Sequence, residues 1–266
     1  MKCIYMDIKI TNIIKAEIFA GIFQNLRVFT DNISIHFEKT GIYIQTMDSS
    51  RVSIVEIKIP STWFDTYTHT HHTNIVIGIN SSIMYKILNA REKPQTIQLL
   101  YESAVLDSLS IHYSCEDKSI FNKSFKVPLV DLEMEMMEIP PIEYEAEFTI
   151  PSNKFTCLIN QLKTFGDSLE IECSEEKIVL SSNTAESGKM NVEINIDDLS
   201  AFSIVEGQQL NMSFGLNYLH NICLFNKLSK DMDIRLCDSY PLCIMFNLTD
   251  GGTMNVFLAP KINDDD

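Results

Sequence analysis

The sequence predicts an α+β protein made of two similar halves, each with two helices packed over antiparallel sheets. Three observations carry this reading. A series of residues recurs at one constant offset, apolar residues stand at helical spacing near the start of each half, and alternating apolar and polar residues follow them.

The first helix of each half is set by periodicity. Phe19, Ile22, Phe23 and Leu26 fall at i, i+3, i+4 and i+7, and so do Phe155, Leu158, Ile159 and Leu162, displaced by 136 positions. The same offset lays Asp31–Phe37 on Asp167–Cys173, Gly41–Ile44 on Lys177–Leu180, Ile83 on Leu219 and Ile87 on Cys223. With small slips Leu109–Tyr113 matches Leu242–Phe246. The strands are read from alternation: Ile33, Ile35 and Phe37, then Ile42 and Ile44, then Val52–Ile59, Thr96–Tyr101 and Leu109–Tyr113. A second helix is expected over Ser81–Ala90 and again over Leu216–Leu228. Between the halves, Val130–Pro141 alternates apolar and acidic residues and ends in Pro140 and Pro141, which forbid a helix and favour extended backbone. This places the domains at residues 1–128 and 145–266, joined by a linker over 129–144. The linker's Leu132, Met134, Met137 and Ile139 have to pack on something, and they suit a strap lying on its own domains or forming one wall of a groove.

Composition narrows the function. The 266 residues carry a formal charge of −15, so an ordinary DNA reader that neutralises phosphates over its whole surface is excluded. A DNA role requires cations collected on one sheltered surface. The seven cysteines are odd in number and include no C-x-x-C pair, which argues against a disulfide framework or a zinc ribbon. No apolar run is long enough to span a membrane, and the first residues lack a signal-peptide pattern, so an intracellular protein without membrane attachment is expected.

Three separated motifs, in order, resemble the eukaryotic proliferating cell nuclear antigen family. Met47-Asp48-Ser49-Ser50-Arg51-Val52-Ser53 is similar to its Met-Asp-Ser-Ser-His-Val-Ser signature, and Trp63-Phe64-Asp65-Thr66-Tyr67 to the Gly-Phe-Asp-Thr-Tyr that follows. Leu129–Tyr144 resembles its interdomain connecting loop, and Leu258-Ala259-Pro260-Lys261-Ile262 its C-terminal segment. Divergence elsewhere suggests a distant or viral member. The resemblance implies the DNA-clamp fold, a head-to-tail homotrimer forming a six-domain ring, and a processivity factor that encircles double-stranded DNA without reading its sequence. It also implies a nuclear location, or a cytoplasmic replication site for a viral member. Basic residues on or beside the four helices would line the bore: Arg27, Lys86, Arg91, Lys154, Lys163, Lys227 and Lys230. Ala20, Gly21, Cys157, Asn160, Asn217 and Leu224 stand where the family carries basic residues.

The same resemblance implies a partner groove lined by Met47, Arg51, Val52, Ile54, Leu132, Met137, Ile139, Pro241, Phe257, Ala259 and Pro260. Its occupants would be DNA polymerase and other proteins carrying a glutamine, an aliphatic residue and two aromatics in a Q-x-x-aliphatic-x-x-aromatic-aromatic motif. Loading would fall to an ATP-dependent clamp loader. Ring contacts are expected on two edge strands, through Lys123, Phe125 and Val127 and through Met190, Val192 and Ile194. No catalytic residue, metal or cofactor is implied. His69, His71 and His72 read as a polar loop, and Asp48 with Ser49 lacks a nucleophile elbow. The alternatives are a monomeric, non-encircling processivity factor of the same fold and, remotely, a hydrolase.

Overall fold

The computed structural model describes residues 4–102, 105–132 and 136–261. The chain divides into two compact units. One comprises Met1–Ser49, Val55–Met136 and Leu248–Met254, and the other Ser50–Ile54, Met137–Asn247 and Asn255–Asp266. The units are therefore not simply successive lengths of chain, since two short segments belong to the unit formed mostly by the other half.

The first half runs β1 (Ile4–Ile10), α1 (Ile13–Leu26), β2 (Asn32–Glu38), β3 (Gly41–Met47), β4 (Ser53–Pro60), β5 (Thr66–His69), β6 (Ile75–Asn80), α2 (Ser81–Asn89), β7 (Thr96–Glu102), β8 (Val105–Ser114) and β9 (Lys123–Pro128). Its strands neighbour one another in the orders β5-β1-β7-β8-β9 and β6-β2-β3-β4. Helix α1 begins six residues before Phe19 because Asn12 caps it: its side chain accepts from the amides of Ile14 (2.9 Å) and Lys15 (3.2 Å). Asn80 caps α2 the same way, accepting from Ile83 at 3.1 Å. Phe19, Ile22, Phe23 and Leu26 are all buried, with the two phenyl centroids 5.0 Å apart, and α1 packs beside α2 over the sheets.

The second half runs β10 (Ala146–Pro151), α3 (Ser152–Leu162), β11 (Ser168–Cys173), β12 (Lys177–Thr184), β13 (Gly188–Asn195), β14 (Ala201–Ile204), β15 (Leu210–Gly215), α4 (Leu216–Cys223), β16 (Asp231–Leu236), β17 (Leu242–Asn247) and β18 (Thr253–Leu258). The strand orders are β14-β10-β16-β17-β18 and β13-β12-β11-β15, the counterpart of the first half strand for strand. The repeat in the sequence is thus a repeat of topology. Phe155, Ile159 and Leu162 of α3 and Leu216, Leu219, Ile222 and Cys223 of α4 form the buried stripe, while Leu158 is half-buried at its margin. Helix α4 ends at Cys223, five residues short of the expected Leu228, and the chain continues in turns held by Phe225 N–H to Ile222 O and Leu228 N–H to Phe225 O.

Trp63-Phe64-Asp65-Thr66-Tyr67 is a packing hub of the first unit. Trp63 is fully buried and donates its indole N–H to Leu248 O (2.9 Å) across 185 residues of sequence. Lys15 donates to Trp63 O (2.7 Å) and pairs with Asp250 at 2.6 Å. Asp65 accepts from the amides of Thr11 (2.6 Å) and Asn12 (3.4 Å), which fixes the turn into α1. Burial alone would raise the Asp65 pKa, but these amide donors bring it below its ordinary value. Tyr67 donates to the carbonyls of Glu38 and Gly41 and closes the β2–β3 turn.

Candidate functional site

The open faces of the four helices are defined by what the cores leave exposed. On α1 the face runs through Ile14, Glu17, Gly21, Gln24 and Val28, and it carries no cation among the described residues. Ala20 is buried, so the face passes beside it. Lys15, the one lysine of α1, is turned to Trp63 and Asp250. Arg27 stands exposed at the α1 C-cap with its guanidinium 3.9 Å from the Tyr85 ring centroid, and Lys86 is exposed on the last turn of α2. Arg91 does different work. It is half-buried, and one guanidinium nitrogen donates to the carbonyls of Glu92, Lys93 and Gln95, closing the turn after α2. Burial lowers its pKa. That hydrogen bonding ties one face of the guanidinium to its own loop.

In the second unit, Lys154 on α3 and Lys227 and Lys230 beyond α4 are exposed, and Lys163 is half-exposed at the α3 C-cap. Cys157, Asn160, Asn217 and Leu224 are all exposed on the same two helices. Asn160 Oδ1 meets His220 Nδ1 at 2.8 Å, and burial, with Lys163 nearby, holds His220 below its ordinary pKa. The helix surfaces are therefore amide-rich and modestly cationic.

The candidate groove residues divide between the units. In the second, Ala259 N–H donates to Val52 O (3.0 Å), so the Ser50–Ile54 segment and the C-terminal segment run side by side. Val52, Ile54, Ile139, Pro241 and Ala259 are half-buried, and Arg51, Met137 and Pro260 are exposed. Phe257 is 8% exposed, so most of its ring belongs to the core and only an edge is available. Arg51 takes a left-handed backbone (φ 58°), a conformation uncommon for a residue with a side chain and frequent at functional turns. In the first unit Met47 and Leu132 are half-buried. Met134 lies outside the described residues.

The candidate contact strands are β9 and β13, each at an end of its order. On β9, Phe125 is half-buried against Tyr113 (centroids 5.3 Å apart) and Lys123 donates to Ala90 O and Glu92. Val127 is fully buried in its own unit and offers no surface, because the alternation of β9 turns it into the core. Met190, Val192 and Ile194 lie half-exposed along one face of β13. Met190 lines an open apolar hollow with Cys157, Asn160, Gln161, Thr164 and Phe165. Two features were not singled out from the sequence, though Phe121 lies in the Ser119–Val127 stretch expected to form a contact edge. Phe121, just before β9, is 81% exposed while buried Gln95 donates to its carbonyl and holds its backbone (2.8 Å). A lone aromatic in a polar loop gives no periodic signal. Gly78 is the other, and only the path of the linker shows its role.

His69 and His71 have local partners. His69 meets Phe37 O at 3.1 Å and His71 meets Thr73, and no group of three or more metal-ligating side chains occurs among the described residues. No helix among the described residues is long and apolar enough to cross a membrane.

Two clamp-like α+β units with helices of this kind define the class of DNA sliding clamps, and comparison with known proteins gives the family. The profile described as "Proliferating cell nuclear antigen, N-terminal domain" matches residues 9–136, and that of the C-terminal domain matches residues 138–261. The chain is 29% identical over 262 residues to "Proliferating cell nuclear antigen 2" of Plasmodium falciparum (isolate 3D7), covering 94% of this chain and 98% of that protein. The chain belongs to the proliferating cell nuclear antigen family. It is a sliding clamp of the processivity-factor type and not an enzyme.

Proposed function

We propose that three copies close head to tail into a ring around double-stranded DNA and tether polymerase and other replication proteins through the apolar groove. One observation supports this most: each unit has an edge strand, β9 in the first with Phe125 half-exposed and β13 in the second with Met190, Val192 and Ile194 half-exposed along one face. Two different edges on one chain make a heterologous contact, which closes when the rotation divides a full turn, and pairing them removes two aggregation-prone edges.

The mechanism is topological. A ring around the duplex slides but does not fall off, so a tethered enzyme stays at high effective concentration. Cations of the helices, Arg27, Lys86, Lys154, Lys163, Lys227 and Lys230, face phosphates across the bore, and the acidic remainder faces outward. Partners dock a short helical turn whose aromatic pair enters the groove between the Val52 and Ala259 segments and the strap, with extended flanks alongside. Opening the ring needs an ATP-dependent loader, and the site of action is the nucleus, or a cytoplasmic replication site in a viral setting.

The test is retention on DNA with the solution mass. Light scattering should give about three times the 30.4 kDa protomer. After loading, the protein should stay on closed circular DNA and leave when the circle is cut. A persistent monomer that binds linear and circular DNA alike would replace this reading with a non-encircling factor.

A further inference from the structure

Gly78 sits in β6, paired with Ser34 of β2 on one side. Its alternation puts it on the same sheet face as Val76, which is 54% exposed, yet Gly78 is buried. The cover is the start of the connecting strap. Val130 N–H donates to Gly78 O at 2.8 Å, and Leu129 N–H donates to Asp107 O at 3.0 Å. A Cβ at position 78 would stand 2.1 Å from Val130 O and 2.9 and 3.0 Å from Leu132 Cγ and Cδ1. The backbone at Gly78 is not in the left-handed region, so the strand itself tolerates any side chain. Glycine is a poor strand residue, and here it serves the close approach of the strap.

We infer that Gly78 is a positioning residue for the partner groove: the bare backbone of β6 is the seat that fixes where the strap begins, and so where Leu132 stands. The inference rests on the groove reading above. Any side chain at 78 pushes against a backbone carbonyl, which cannot rotate away, so the strap has to lift. The β6 core residues Ile77 and Ile79 point to the opposite face and keep their packing. The effect is therefore local to the strap.

The experiment compares Gly78→Ala with the full-length protein in two measurements. Hydrogen exchange follows the Val130 amide, and calorimetry follows a synthetic peptide carrying the glutamine, aliphatic and double-aromatic motif. The expected result is loss of Val130 protection together with roughly tenfold weaker peptide binding, the loss of a displaced interface wall. Ile77→Val, which lowers stability from the other face, should leave both readouts unchanged. A folded Gly78→Ala protein with Val130 still protected overturns the inference. If Val130 is released but the peptide binds as before, the seat stands and the groove reading fails. If Gly78→Ala does not fold, Val130→Pro removes the same hydrogen bond from the strap side. It should weaken the peptide alike, and unchanged binding there, as for Gly78→Ala, fails the groove reading.

Discussion

Asp65 shows how a single side chain in a recognisable motif serves the fold. Its carboxylate collects the amides of Thr11 and Asn12, and Asn12 in turn caps α1. The sign of its pH effect follows. The folded pKa lies below the ordinary 3.8, so the stabilisation is fully present above that value and is lost as pH falls through the folded pKa. Asp65→Asn should therefore flatten the loss of stability below about pH 4 in a urea titration series. An identical acid limb in both proteins would detach Asp65 from α1. At the groove, Met47→Ala or Ile139→Ala should weaken peptide binding by about 1–3 kcal/mol in calorimetry, the range of an interface anchor. Both are half-buried, so unchanged affinity with an unchanged fold would place them in packing alone. The roles of these residues were legible unequally. Asp65 and Trp63 stood out as a motif, but Trp63's partner, Leu248, is far along the chain and no local pattern announces it.

Among the elements, helices and strands were read correctly where one face is buried and periodicity is strong. The bounds of α2 were read to within one residue, but the periodic residues do not show where α1 begins, because capping by Asn12 is a side-chain event outside the apolar pattern, and α4 was read five residues too long. The edge strands show the same limit. Alternation gives β9 two faces but does not say which is covered, and Val127 belongs to the core while Phe125 stays half-open. Phe121 extends this edge. Its backbone is held by Gln95 and its ring is free of its own unit, the arrangement of a preorganised anchor. Phe121→Ser should leave thermal stability within about 0.5 kcal/mol, as a surface change does. It should also shift the mass in light scattering from trimer toward protomer at low concentration. A trimer that persists on dilution would remove Phe121 from the contact.

The electrostatics of the whole molecule decide how tightly the proposed ring would hold DNA. At −15 overall, the proposed ring would depend on a few helix cations, and these candidates are unevenly distributed: Arg27 and Lys86 in the first unit against Lys154, Lys163, Lys227 and Lys230 in the second. The open face of α1 presents Glu17, 46% exposed and paired with Lys93 at 3.4 Å. Glu17 would thus oppose phosphate approach near the start of a helix proposed to face the bore. Glu17→Lys reverses that charge without touching the buried stripe of α1. Measured over a salt series, DNA retention should rise at low salt, and the slope of log affinity against log salt should steepen by about 0.9 for each phosphate newly contacted. Lys154→Ala should do the reverse, with a shallower slope and equal losses on unrelated sequences. An unchanged slope for Glu17→Lys, in a protein that still assembles, would mean that α1 does not look onto DNA. The helices would then not line the bore, and the sheltered cations would need another explanation.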